Sequence, residues 1–272
     1  MSSSPSELET LKTKLKTTWM AGDFGLIAKS YETGAADFVH RLKLAPGSKV
    51  LDVACGTGNL SIPAAKTGAT VTGVDIAANL IEQARARART ERVTVTFDEG
   101  DAEELPYDDA SFDTVITMYG AMFAPRPELV SANLLRVCRP GGIIAMANWT
   151  PTGFVGQMFT IISGHVPPPN MPSPIKWGDE ETVRERLGEH VDLRFTKRHI
   201  SFTFPFEPKD VVEFWRVYYG PTHKAFGVLE ANPEQQGALR RDLEQLWAEH
   251  NQHTDGTTLV ESEYLEVHAI RK

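Results

Sequence analysis

The sequence is poor in cysteine and carries no long apolar run. Its 272 residues include two cysteines, Cys55 and Cys138, too few for a disulfide framework or a four-ligand zinc site. That usage suits a reducing, cytoplasmic compartment, with no metal expected. No stretch approaches the roughly 18 consecutive apolar residues of a membrane span. The opening segment, MSSSPSELETLKTKLK, lacks the apolar centre of a secretory signal, and its first eight residues are expected to fray. Positive charge is scarce as well. Against 36 Asp and Glu stand 28 Lys and Arg, a formal net charge of −8. Nucleic-acid phosphates call for the opposite balance, and nothing here marks a membrane surface as partner.

What is present is a regular alternation. At 41% hydrophobic residues the chain is long enough for one structural domain with a sizeable core. Short β-branched runs at 49–54, 70–75, 93–97, 114–119 and 142–149 read as strands. Helical patterns fill 60–66, 77–90 and 128–137. Strands alternating with helices imply an α/β fold, a doubly wound and mostly parallel sheet. Pro63 suits a first helical turn, Gly68 a helix end, and RPGG (139–142) a turn into the next strand. Residues 1–48 read as a helical segment and 49–150 as the ligand-binding core. Residues 151–190, with five prolines between Gly164 and Pro174, read as a proline-rich lid or loop. The remainder, 191–272, reads as two last strands with an inserted helical cap at about 206–253, holding two helices.

The stretch VLDVACGTGNLS, beginning at Val50, joins the first strand to a helix. Gly56 and Gly58 nearly complete a GxGxxG fingerprint, but Ser61 stands at the third glycine. A tight turn without a ligand is the plainer reading of that string alone. Its place at the carboxyl end of a parallel strand favours a ligand. Asp75, ending the second strand, suits either a ribose diol or a helix cap. Asp101, after the third strand, suits either an adenine amino group or a solvated acidic loop. Together these fit an adenosine. Asp52, beneath the loop, disfavours a pyrophosphate and suits the cationic S-adenosylmethionine.

Four segments, VLDVACGTGNLS, VTGVDIAANLIEQARARA, GDAEELPYDDASFDTVIT and LLRVCRPGGIIAMANW, resemble in order and spacing the motifs of class I S-adenosylmethionine-dependent methyltransferases. The likeness is strongest to the branch that includes ubiquinone/menaquinone-type and small-molecule enzymes. The resemblance implies a seven-stranded Rossmann-like sheet with helical lid insertions. It implies that Asp52, Ala54, Cys55, Gly56, Thr57 and Gly58 wrap the methionine part of the cofactor. Asp75 would meet the ribose, Ile76 would pack on the adenine, and Asp101 and Ala102 would meet its edge. Met118 and Tyr119 would line the methyl, with Tyr31 as an upstream aromatic cover or else a core tyrosine. The fourth strand ends TMYGAMF, without the Asn-Pro-Pro-Tyr or Asp-Pro-Pro-Tyr of enzymes that methylate exocyclic amines of nucleobases.

Methyl transfer from a sulfonium is an in-line displacement that needs positioning and desolvation more than dedicated side chains. The expected acceptor is a small, partly hydrophobic or aromatic organic molecule, and the expected products include S-adenosylhomocysteine. Met122, Phe123, Met158, Phe159 and the Trp215, Tyr218, Tyr219 cluster suggest that character. His165, His223 and Tyr219 are the candidate bases, each with a structural reading beside it. His199, His250 and His253 read as structural or solvated, and Arg85, Arg87, Arg89 and Arg92 as a solvated helix face. Other readings are a non-catalytic cofactor-binding protein, a methyltransferase acting on a macromolecule, and a nicotinamide oxidoreductase, which the missing third glycine disfavours. A monomer or homodimer is expected.

Overall fold

The computed structural model describes residues 5–168 and 170–272. Seven strands form one sheet: β1 (Lys49–Val53), β2 (Thr70–Asp75), β3 (Thr96–Glu99), β4 (Phe112–Met118), β5 (Cys138–Trp149), β6 (Val191–Phe204) and β7 (Thr258–Arg271). Their order is β3-β2-β1-β4-β5-β7-β6. The first five run parallel, and β7 is antiparallel to both β5 and β6. This is the doubly wound, mostly parallel α/β sheet the alternation implies.

The order reverses between β1 and β4. Right-handed crossovers then place α4 (Ser61–Lys66) and α5 (Ala78–Thr90) on one face and α6 (Pro127–Val137) on the other. With both faces covered, the central strands bury apolar side chains on both sides. Val50, Leu51 and Val53 of β1 and Val115 and Ile116 of β4 are wholly buried.

Three helices precede the sheet: α1 (Pro5–Trp19), α2 (Phe24–Lys29) and α3 (Glu32–Leu42). Of the eight residues expected to fray, 1–4 lie outside the described residues and 5–8 form the first turn of α1. Residues 151–190 hold more regular structure than a proline-rich loop. They contain α7 (Phe154–His165), a 3-10 turn at Pro174–Gly178, and α8 (Glu180–Leu187); Pro169, between the first two, lies outside the described residues. The cap after β6 has three helices where two were expected: α9 (Pro208–Tyr218), α10 (Gly220–Val228) and α11 (Pro233–His250).

Two boundaries moved for identifiable reasons. The third strand begins at Thr96 rather than 93, because the chain leaves α5 through Arg92 at φ +56° and Val93 N–H closes on the Ala88 carbonyl. Val93 and Val95 pack beside that helix instead of pairing. RPGG is not a free turn but a bulge within β5. Cys138 pairs with Phe112 and Ile143 with Thr114, so residues 139–142 bow out opposite Asp113. Arg139 Nε bonds that carboxylate at 2.6 Å.

The two antiparallel strands are fastened to the helical layer by a buried acid. Glu266 on β7 is 3% exposed. Its Oε2 lies 2.5 Å from Arg41 Nη2 of α3 and 2.8 Å from Arg198 Nε of β6, and its Oε1 lies 3.4 Å from His268 Nε2. Burial alone would raise the carboxyl pKa; contacts with His268, Arg41 and Arg198 outweigh it and hold the value at about 2. Because the folded value is depressed, its stabilisation is present above the ordinary carboxylate range and fades as pH falls towards 2. Glu266→Ala should therefore destabilise the protein by about 3 kcal/mol at pH 7, since two guanidiniums lose their counter-charge. Urea denaturation checks this, and the gap between variant and wild type should narrow below pH 4.

Candidate active site

The strand ends at the point of reversal open into a cleft of about 990 Å³, its open mouth included. Beyond β1 the backbone turns through left-handed conformations at Ala54 (φ +56°), Gly56 (φ +52°) and Gly58 (φ +83°). Such angles favour glycine; Ala54 is held there against preference. The opposite lip is equally tight. Tyr119, beyond β4, has φ +56°, and a Cβ on Gly120 would stand 2.6 Å from the Ala54 carbonyl oxygen. Ala54, Cys55, Gly56 and Thr57 line the cleft. Gly58 does not; a Cβ there would meet Phe97 and Ile62 on the packed side of the turn.

Three carboxylates are spaced along the cleft. Asp52 lies under the loop, 1% exposed, and accepts a bond of 2.5 Å from Ser61 Oγ. The residue that breaks the dinucleotide fingerprint is thus the one that holds Asp52. Burial pushes the Asp52 carboxyl up to about 7, with the Asp75 charge adding to the rise. Asp75 accepts from Gly56 N–H through Oδ2 (2.9 Å) and from Ala77 N–H through Oδ1 (2.8 Å). It braces the loop and fixes the turn that leads into α5 at Ala77. Asp101 sits at the far end, near Ile76 and Ala102, with Oδ1 accepting from Glu103 N–H at 2.9 Å.

The first helix closes this far end. Lys12 Nζ lies 2.5 Å from Asp101 Oδ2 and 2.6 Å from the buried Glu103 Oε2, and Lys16 pairs with Glu99. Lys12, Leu15 and Trp19 line the cleft. Sequence reasoning missed them. Their spacing of three and four residues, continuing from Leu8, is one stripe of a helix and could have marked the face.

The near end is aromatic. Met118, Tyr119 and Tyr31 line it with Phe24 and Phe123. Tyr119 stacks on Trp149 with centroids 3.5 Å apart and meets Tyr31 edge-on at 5.8 Å. Burial raises the pKa of both tyrosines far above the usual phenol value, so both are neutral at physiological pH. The Tyr119 hydroxyl is buried without a hydrogen-bond partner.

The suggested bases lie elsewhere. His165 pairs with Asp242 of α11 at 2.6 Å, and His223 is exposed, its Nδ1 bonding the Arg216 carbonyl. Tyr219 is packed between Trp19 and Trp215, behind the wall. Trp215 belongs to the core with Phe202 and Trp247. Among the wall candidates Phe123 lines the cleft and touches Phe159, whereas Met122 and Met158 are buried in the core. The arginine row is not wholly solvated: Arg85 bonds the Phe97 carbonyl, and Arg87 turns in towards the glycine loop. Among the described residues no cluster of His, Cys, Asp or Glu is arranged to hold a metal ion, and no helix is long and apolar enough to cross a membrane.

Residues 50–142 match the model of a methyltransferase domain. An uncharacterised protein of Mycobacterium tuberculosis is 36% identical over 263 residues, covering 95% of this chain and 94% of its own length. The 2-methyl-6-phytyl-1,4-hydroquinone methyltransferase of Synechocystis is 36% identical over 131 residues, 45% of this chain and 41% of that enzyme. In structure the chain is similar to a geranyl diphosphate methyltransferase solved in complex with S-adenosylmethionine. The TM-score is 0.52 at 18% identity, over 89% of this chain and 85% of that one.

Asp52 generates a two-sided prediction. Its folded pKa is raised, so the protonated form is favoured in the fold, and stability is lost as pH rises through about 7. Asp52→Asn should stabilise the ligand-free protein at pH 8 by on the order of 2–4 kcal/mol, and by far less at pH 5. Thermal unfolding at the two pH values checks it; an equal effect at both would remove the buried charge as the cause.

Proposed function

The chain belongs to the class I S-adenosylmethionine-dependent methyltransferases, and from that premise we propose that its cleft binds S-adenosylmethionine and methylates a small, partly hydrophobic or aromatic acceptor. The observation that carries this reading is the run of three carboxylates along one cleft, ending at an aromatic wall. A dinucleotide would set phosphates over Asp52. A ligand with an ammonium at one end and an adenosine at the other meets each acid with a donor. The loop 54–57 and Gly120 line the space beside these acids, and three carboxylate acceptors suit such a ligand.

Each residue then has a task. Asp52 and the glycine loop hold the amino-acid end. Asp75 accepts from the ribose hydroxyls, while Ile76 and Leu80 flank the base and Asp101 meets its edge. When bound, the cofactor supplies a methyl on a sulfonium, an electrophile with a good leaving group. Met118, Tyr31, Tyr119 and Phe123 exclude water around it and orient the acceptor. The titratable side chains on this wall are two neutral tyrosines. That favours an acceptor arriving with a free lone pair or as an acidic phenol or enol, which needs no strong base from the protein. The hydroquinone in the Synechocystis enzyme's name is a small aromatic of this kind, and its likeness supports the reading.

Calorimetric titration tests the cofactor directly. S-adenosylmethionine and S-adenosylhomocysteine should bind with Kd on the order of 1–100 μM. Gly56→Val should weaken both at least about 100-fold, because a β-branched residue is strained at that left-handed position. Methyl-labelled cofactor with fractionated metabolites should then yield a labelled small molecule. Absence of binding to the wild-type protein would refute the proposal.

A further inference from the structure

We propose that Arg87 is a positioning residue for the cofactor, acting through the glycine loop and through Tyr31; this rests on the reading of the cleft given above. The sequence gives no hint of it, since Arg87 stands in a row of arginines on a surface helix.

The structure ties it to two other segments. Arg87 Nη1 donates to the Thr57 carbonyl (2.9 Å), to Thr57 Oγ1 (3.2 Å) and to Asn59 Oδ1 (2.5 Å). Its Nη2 pairs with Glu32. Asn59 completes the tie by donating its amide to the Ala28 carbonyl at 3.1 Å. One guanidinium thereby joins α5, the apex of the loop, and the junction of α2 with α3. Tyr31 stands at that junction, between Ala28 and Glu32, and lines the cleft beside Thr57.

The loop needs such a tie. Thr57 lies between two glycines with positive φ, residues that confer no preference for one backbone shape. Without an anchor, the loop would have to be ordered at the moment of binding, at a cost to affinity. The planar fork of arginine spans acceptors in two directions, which a lysine ammonium cannot do at once. A simple surface ion pair is a poorer account. Glu32 is 49% exposed at its side chain, and such pairs add little stability. The bonds to Thr57, itself 1% exposed, are where the guanidinium acts.

The test is calorimetric titration of S-adenosylhomocysteine into wild type, Arg87→Ala, Arg87→Lys and Glu32→Gln. Ligand-free thermal unfolding and amide hydrogen exchange over residues 55–60 accompany it. Arg87→Ala should raise Kd about 10–100-fold and speed exchange in the loop, with a ligand-free Tm within a few degrees of wild type. Arg87→Lys should recover part of the affinity. Glu32→Gln should cost about 2–5-fold, reporting the arm that leads to Tyr31. A wild-type protein that binds, with Arg87→Ala within twofold of it and loop exchange unchanged, overturns the positioning role alone. A wild-type protein that binds neither cofactor form overturns the reading of the cleft and this role with it. Should Arg87→Ala fail to fold, wild-type affinity and wild-type loop exchange in Arg87→Lys overturn the proposal.

Discussion

The two strands that part company at the centre of the sheet end almost touching. Ala54 and Gly120 are so close that a single added carbon would collide with backbone. Everything at the site follows from that approach. Beside it Ala54 and Tyr119 take left-handed conformations, where one chain enters the glycine loop and the other the aromatic wall. The cleft is the space left between them. Strain of this kind persists only where packing on all sides enforces it, and here β1 and β4 are buried on both faces.

The second constraint is electrostatic. Asp52, Asp75 and Asp101 bring negative charge into a space that burial makes costly for it. The fold answers each acid differently. Asp101 receives a lysine from α1, Asp75 receives backbone amides alone, and Asp52 receives the hydroxyl and the backbone amide of Ser61. The most buried of the three, Asp52, lies under the loop, where burial raises its pKa to about 7. The cationic ligand proposed above would relieve the charge that burial penalises at Asp52, while the far end is already balanced by Lys12.

Much of this was legible in the sequence. The parallel strands of the first half stand out because short β-branched runs alternate with helical patterns, and twelve of the thirteen expected cofactor residues line one cleft. The exception, Gly58, has the same turn chemistry as Gly56, and only packing against Phe97 tells them apart. What escaped notice depends on distance in space. Nothing local in α1 says that Lys12 meets Asp101, 89 residues away. Arg87 resembles its neighbours until the fold brings Thr57 and Glu32 to it. The histidines misled in the opposite sense, because a histidine near a variable loop carries no mark of which way that loop faces. The third cap helix was lost because a single residue, Tyr219, separates it from the one before.

The first helix does not rest on the sheet alone. A Cβ on Gly220, which opens α10, would lie 2.0 Å from the Thr18 carbonyl oxygen, and Asp23 N–H bonds the carbonyl of Tyr218. The end of α1 and the turn after it therefore have their seat built from residues some two hundred positions later in the chain. Without those residues α1 lacks the cap it leans on, although the cleft it covers is lined wholly by residues between Lys12 and Pro125. Contacts between segments so distant in the chain make for slow folding. The helix that covers the cleft is thus seated by some of the contacts most distant along the chain.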